Sequence, residues 1–265
     1  MGVSSKIIKT IQETSEIKTF ILEKPEIAKK AYPGQFVMVW VPDAEEVPMS
    51  LSYINPCDGL VGITVRQVGD TTKKMFELKE GDFMGIRGPY GHGYDLRGEQ
   101  ILTISSGCAT ASIPPLVEEA IAKGKKVCSI VGGLTKETLI LLERFKKAGA
   151  EVHPVTGDGS IGAKGHVTDI LNKLMEEGRK FDIAYVCATE NRMNKIIEIT
   201  EKYNIQTQVS IERPMKCGTG ICGVCAMDPS GLLACKDGPV FWAWELKETE
   251  FGKYKRDLST TKIKI

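Results

Sequence analysis

The most specific chemistry in this sequence is carried by four cysteines. Cys217, Cys222, Cys225 and Cys235 stand at C-x4-C-x2-C-x9-C. This is the plant-type spacing for a [2Fe–2S] cluster. The first three share a loop with Gly218, Gly220 and Gly223. A loop wrapped round an inorganic core turns tightly and aims N–H groups at sulfur. Glycine permits this because it reaches positive φ and brings no Cβ near the core. Asp228-Pro229-Ser230-Gly231 then reads as a turn that returns the chain to Cys235. A structural zinc site is the main competing reading. Zinc favours two Cys-x2–4-Cys knuckles, and only Cys222 and Cys225 form one. A disulfide pair is a third reading, and the spacing favours the cluster over both.

A chain of 265 residues is too long for one small core, so two or three domains are expected. Its composition, 42% apolar and 26% charged, is that of a globular protein. A formal charge of +1 gives no global field toward nucleic acid or an anionic membrane. Among the eight cysteines, Cys57, Cys108, Cys128 and Cys187 are scattered and read as buried free thiols of a reducing compartment. No apolar run approaches the roughly 18 residues of a membrane span. Met1–Lys6 lacks the apolar stretch of a secretory leader. Cytoplasm is therefore the expected location.

The elements that must position the cysteines fall into three parts. Residues 1–98 hold short β-rich runs at 7–11, 19–22, 35–41, 49–54, 60–66 and 82–86 between Pro/Gly/Asp turns. A single helix is expected at 71–78. Such runs predict an antiparallel barrel. Over residues 99–210, strands at 101–104, 127–133, 151–155 and 183–187 alternate with helices at 113–123, 136–148, 167–177 and 191–203. That alternation predicts a doubly wound parallel sheet. Residues 211–265 hold the cluster and a tail. The fold class is thus α+β multidomain.

A barrel followed by a doubly wound domain resembles the ferredoxin–NADP reductase superfamily, whose barrel binds a flavin. Two segments carry this part of the resemblance: Pro48-Met49-Ser50-Leu51, and Thr64-Val65-Arg66 with Gly69, Thr71 and Thr72. The Ser50 hydroxyl suits a flavin ring or ribityl group. The helix start at Thr71-Thr72 suits a pyrophosphate, because free N–H groups and the helix dipole both favour an anion, and Arg66 adds charge. Taken alone, the two segments equally describe a strand and an N-capped helix. Gly88-Pro89-Tyr90-Gly91 matches the family's turn at the end of the barrel. The chain departs from the pattern at Val47, where the family has Arg, and at Thr71, where it has Gly. His92 could lie near a cofactor, although an exposed loop histidine is the commoner case; His153 and His166 read as ordinary.

The family's nicotinamide elements have drifted. Its Gly-Gly-x-Gly turn is here Ser106-Gly107-Cys108-Ala109-Thr110, followed by Pro114-Pro115-Leu116, and its Cys-Gly-Pro is Cys187-Ala188-Thr189. Added Cβ atoms hinder close approach of a pyrophosphate, so binding of NAD is left open. The whole order of parts, with the run Glu212–Cys225 and the tail Phe251–Asp257, resembles the electron-transfer subunits of B-type dihydroorotate dehydrogenase. That resemblance implies FAD, a [2Fe–2S] cluster and a heterotetramer with an FMN-containing catalytic subunit in pyrimidine synthesis. It also implies an oxidoreductase subunit whose substrate site lies on the partner. No acid–base dyad, triad or P-loop is found in this chain, which agrees. Phe241, Trp242, Trp244 and the basic tail could form the docking surface, or equally a small core and a solvated end. Subunits of sulfhydrogenases and of NAD(P)H:ferredoxin oxidoreductases share the architecture. The latter tend to lack cysteine at the first ligand position, which Cys217 keeps here. A zinc-stapled binding module without redox function is the alternative of another class.

Overall fold

The computed structural model describes residues 4–257, 259 and 261–264. Met1–Val3, part of the segment read for a leader, lie outside them. The first six strands are β1 (Ser4–Gln12), β2 (Ile17–Glu23), β3 (Phe36–Trp40), β4 (Val47–Asn55), β5 (Leu60–Arg66) and β6 (Phe83–Tyr90). They close an antiparallel barrel in the order β1-β2-β5-β4-β3-β6. Phe20, Leu22, Val37, Val39, Leu51, Val61, Ile63 and Val65 fill it, as alternation along paired strands requires. Between strands lie a one-turn helix, α1 (Pro25–Ala28), and the expected α2 (Asp70–Glu77).

The second unit is a sheet of order β10-β9-β8-β7-β11-β12-β15. Its parallel strands are β7 (Gln100–Ser106), β8 (Lys126–Gly133), β9 (Glu151–Thr156), β10 (Ala163–Lys164), β11 (Ile183–Cys187) and β12 (Gln206–Ser210). They alternate with α3 (Pro114–Ala122), α4 (Leu142–Ala148), α5 (Val167–Glu176) and α6 (Glu190–Lys202). The order reverses between β7 and β11, and ligands of such sheets collect at the carboxyl ends near that reversal.

Two elements differ from the sequence reading. The helix expected over 136–148 is a 3-10 turn at Lys136–Thr138 followed by α4. Thr138 folds its hydroxyl back to accept from the N–H groups of Leu134 and Thr135, at 2.9 and 3.0 Å. Such local bonds compete with a helix, and Leu141 breaks the path at φ 60°. Strand β12 was not anticipated because its run, Gln-Thr-Gln-Val-Ser, is mostly polar. Tertiary bonds make it a strand: buried Gln208 accepts from Asp95 N–H at 3.0 Å and donates to Asp95 C=O at 2.9 Å.

The cysteine segment forms β13 (Ala226–Met227) and β14 (Leu232–Leu233), then β15 (Val240–Trp242), which pairs antiparallel with β12. The tail ends in a hairpin of β16 (Tyr254–Arg256) and β17 (Lys262–Lys264). Of the aromatic residues considered for docking, Phe241 is buried, Trp242 half-buried and Trp244 exposed. Among the described residues no helix is long and apolar enough to cross a membrane. Cys128 and Cys187 are buried free thiols and Cys108 is half-buried, whereas Cys57 is exposed in the turn after β4, contrary to the sequence reading.

Arg144 of α4 joins the sheet to the barrel. It pairs with Glu118 of α3 at 2.5 and 2.7 Å, donates to the Ser52 carbonyl and covers the Tyr53 ring. Phe241 joins the cysteine segment to the sheet within one core that also holds Val209, Ile211, Met215, Cys225 and Cys235. Phe241→Ala should lower the unfolding free energy by about 3–5 kcal/mol, read from the urea midpoint of the chain.

Candidate functional site

The cysteine loop points amides at sulfur. Thr219 and Ile221 N–H groups lie 3.4 Å from Cys217 Sγ, Gly220 N–H 3.2 Å from Cys235 Sγ, and Cys235 N–H 3.4 Å from Cys225 Sγ. Burial works against a Cys217 thiolate, but the amides of Cys222, Thr219 and Ile221 outweigh it and hold its thiol down at about 5. Burial and the neighbouring Cys225 push the Cys235 thiol up to about 12. A cluster requires all four as thiolates, and amides aimed at sulfur are what stabilises bound thiolates and sets a cluster's potential.

Among the described residues the triplet with all ligand atoms within 4.8 Å is Cys128, Glu151 and His153; the four loop cysteines do not supply one. A tetrahedral zinc would draw its sulfurs to about 4 Å of one another. The amides aimed at sulfur and the four-cysteine spacing fit a two-iron core.

The barrel grips this loop. Arg87 of β6 donates to the Cys217 carbonyl at 2.8 Å while paired with Glu46 at 2.6 and 2.7 Å and with the Tyr90 hydroxyl at 3.1 Å. Gly218, at φ +72°, packs so closely that a Cβ would come within 2.8 Å of Met38 Cγ. Neither contact was foreseen from sequence, because Arg87 is 130 residues from its acceptor. At the barrel's end, His92 N–H bonds Gly238 C=O at 2.6 Å; the His92 side chain is exposed, as read. Ile221 and Cys222 face outward, with Ile221 85% exposed.

Beside the loop lies a cavity of about 970 Å³ between barrel, sheet and tail. Of the residues considered for a flavin, Pro48, Met49, Ser50, Thr64, Arg66 and Thr72 line it. Thr64 donates to the Ser52 hydroxyl at 2.9 Å. Thr72 accepts from the Val68 and Gly69 amides at 2.9 Å each and so shapes the start of α2. Gly69 precedes α2 at its N-terminus. Leu51 and Val65 instead point into the barrel core, and Thr71 donates to Glu45 C=O at 3.0 Å. Period-2 alternation accounts for Leu51 and Val65, which flank cavity-facing Ser50, Thr64 and Arg66.

The opposite wall includes Cys108 and Cys187, from the two drifted nicotinamide elements. Sequence reasoning missed the rest of it: Ser210 and Glu212 come from the carboxyl end of β12, and Lys255, Asp257 and Ile263 from the tail. Only the position of the strand ends, beside the reversal in sheet order, could have pointed to Ser210 and Glu212. Glu212 lines the cavity and is accessible through it. Burial raises its carboxyl above the usual range, partly opposed by Lys255.

The segment between cavity and cysteines is fixed by one guanidinium. Arg213 is 5% exposed and borders the cavity. It pairs with Glu190 at the start of α6, and its Nε lies 3.7 Å from Glu250 Oε1. Glu190 also accepts from Gly252 N–H at 2.9 Å, and Glu250 from Asp228 N–H at 3.1 Å.

A closed barrel, a doubly wound sheet and a cavity between them define a flavoprotein reductase fold of the ferredoxin–NADP reductase type, carrying an added iron–sulfur segment. Residues 212–247 match the iron-sulfur cluster binding domain of dihydroorotate dehydrogenase B. A protein of Methanocaldococcus jannaschii described as a probable dihydroorotate dehydrogenase B (NAD(+)), electron transfer subunit, is 45% identical over 98% of both chains. One of Methanocella arvoryzae with the same description is 42% identical over 99% of both. Among solved structures, one of the NADH-dependent reduced ferredoxin-NADP oxidoreductase matches with TM-score 0.84 and 30% identity, over 93% of this chain and 90% of that one. A ferredoxin NADP+ reductase of Neisseria gonorrhoeae shares the fold, with TM-score 0.64 and 15% identity over 75% and 90% of the two chains. The chain belongs to the family of dihydroorotate dehydrogenase B electron transfer subunits.

Removing the Arg213 guanidinium leaves two carboxylates buried with reduced compensation, which costs about 3–5 kcal/mol. Arg213→Met should show that loss in urea unfolding, and adding Glu250→Gln should recover part of it.

Proposed function

We propose that this chain carries electrons from an FMN-containing, dihydroorotate-oxidising subunit, with which it forms a heterotetramer in the cytoplasm, to NAD or another acceptor. Residues 1–98 form the flavin unit, 99–210 the nucleotide-binding-like unit, and 211–265 the cluster unit. Cys217, Cys222, Cys225 and Cys235 hold a [2Fe–2S] cluster. Pro48, Met49, Ser50, Leu51, Thr64, Val65, Arg66, Gly69, Thr71 and Thr72 form the barrel side of an FAD site, Leu51, Val65 and Thr71 through their backbone. When bound, the cluster supplies single-electron transfer, and the flavin a store of one or two electrons.

One observation carries this reading. The segment Ser210–Met215 lines the cavity and runs directly into Cys217, whose carbonyl is held by the barrel through Arg87. The two cofactor sites therefore share a wall. The chain's own residues do the rest. Arg66 and the α2 N-terminus give the cavity a cationic end for a pyrophosphate. Ser50 offers a hydroxyl, and Met49 and Phe36 an apolar wall. The exposed Ile221 and Cys222 leave the cluster side open to a partner. Free cysteines throughout are consistent with a reducing compartment.

The purified chain should hold about two irons and one FAD. In complex with the FMN subunit, anaerobic dihydroorotate should bleach the FAD absorbance, and Cys225→Ser should abolish bleaching while FAD stays bound. Unchanged bleaching in that variant would refute the route. Arg66→Ala should weaken FAD retention by about tenfold, from one charge-assisted bond to phosphate, measured by fluorescence of released flavin. Titration with NADH tests the acceptor, since flavin bleaching at micromolar NADH identifies a nicotinamide site.

A further inference from the structure

The sequence shows no histidine pair with metal-ligand spacing, and His153 reads as ordinary. The fold changes its surroundings. Cys128 is the third residue of β8, and Glu151 is the first of β9. In the parallel register Cys128 faces Glu151, and Ile130 faces His153. Residues two apart on a strand share a face, so Cys128, Glu151 and His153 point to the same side of the sheet. Their ligand atoms all lie within 4.8 Å of one another, and His153 Nε2 is 2.8 Å from Glu151 Oε1. The site sits at the amino ends of β8 and β9. The cofactor cavity is at the carboxyl ends of the sheet, so the triplet belongs to neither the flavin site nor the cluster.

We propose that Cys128 Sγ, His153 Nε2 and a Glu151 carboxylate oxygen form a zinc site. One thiolate, one imidazole and one carboxylate are the donor types zinc takes, and three protein ligands leave a fourth position for water. The thiolate and imidazole disfavour calcium and magnesium, which take oxygen. The ligands come from two adjacent rigid strands, so little ordering is needed on binding. Cys128 is 3% exposed and has its thiol raised to about 12 by burial. Zinc displaces that proton to solvent and leaves a sulfur shielded from oxidation. His153 and Glu151 are part-exposed, with side-chain accessibilities of 30% and 48%, and give the ion a way in.

Arg179, just beyond α5, holds the place of the cation. It forks onto Glu151 at 2.9 and 2.7 Å and lies over Phe181. Its side chain is 38% exposed, so it has room to swing into solvent, at the cost of a bidentate pair. Zinc and Arg179 thus compete for one carboxylate. This competition separates a metal site from a purely structural ion pair.

The test uses the full chain with its iron and sulfide content verified and zinc alone as the probe. Equilibrium dialysis at micromolar free zinc should give one zinc per chain in addition to iron. X-ray absorption at the zinc edge should show one sulfur with nitrogen and oxygen neighbours. Cys128→Ser should abolish binding. His153→Ala, a part-exposed position that tolerates truncation, should weaken it by about 100-fold or more. Arg179→Gln should tighten it several-fold. Absence of zinc from the folded chain, a four-sulfur shell that places zinc on the cluster cysteines, or affinity indifferent to His153→Ala would each overturn the proposal.

Discussion

The buried Arg213 guanidinium is the constraint on which the arrangement depends. Its side chain is 1% exposed and stands between Glu190 at 7% and Glu250 at 0%. Taking three charges out of water costs several kcal/mol per ion, and mutual attraction offsets that only where geometry and further bonds are good. Here the further bonds are amides. Gly252 N–H serves Glu190 and Asp228 N–H serves Glu250. The network thus draws together the start of α6, the turn after β13 and the segment entering the tail. Each of these could be held by apolar packing alone. The ion network ties these elements to the segment that carries Cys217, with Arg213 Nε and Glu250 Oε1 left without hydrogen bonds.

From that fixed point two sites are built with little extra material. Residues Ser210–Met215 are cavity wall, and two residues later the chain supplies the first thiolate. Arg87 then holds the Cys217 carbonyl from the barrel. Strand β6 and the cysteine loop are therefore joined directly. The cavity and the cysteine loop thus share a wall without a dedicated linker.

Much of this was legible in the sequence, and the reason differs by part. The iron–sulfur segment was legible because its four cysteines follow a known cluster spacing, and residues 212–247 match such a domain. The barrel and the alternating domain were legible because period 2 and period 3.6 differ. Ser50, Thr64 and Arg66 were read together and line one cavity, whereas Leu51 and Val65 turn into the core. A motif marks a stretch of backbone, and the pleat decides which side chains face the site. The strand β12 was hidden because its stability comes from Gln208 and Asp95, which are 113 residues apart. Arg87, Glu212 and the tail residues were hidden for the same reason: their roles arise from contacts distant in sequence, and no local period records them.

The turn after β7 carries other groups where the family has glycines. Gly107 retains φ +60° and faces open space, so a ligand could approach its backbone. Pro114 and Pro115 remove two amide donors from the start of α3. Ser105 and Thr110 bury hydroxyls without a partner beneath the turn, a cost that an ordered water or a bound group could repay. A cation stands nearby instead of further amides: Arg192, from the first turns of α6, donates to the Ser106 hydroxyl at 2.8 Å. An anion entering there would meet fewer N–H groups and more formal charge than a glycine-rich turn offers. Charge attracts over a longer range but directs less than a cradle of amides. This end of the sheet therefore carries formal charge where a glycine-rich turn would carry amides. The cluster side, walled by Arg87 and Met38, is constrained mainly by shape.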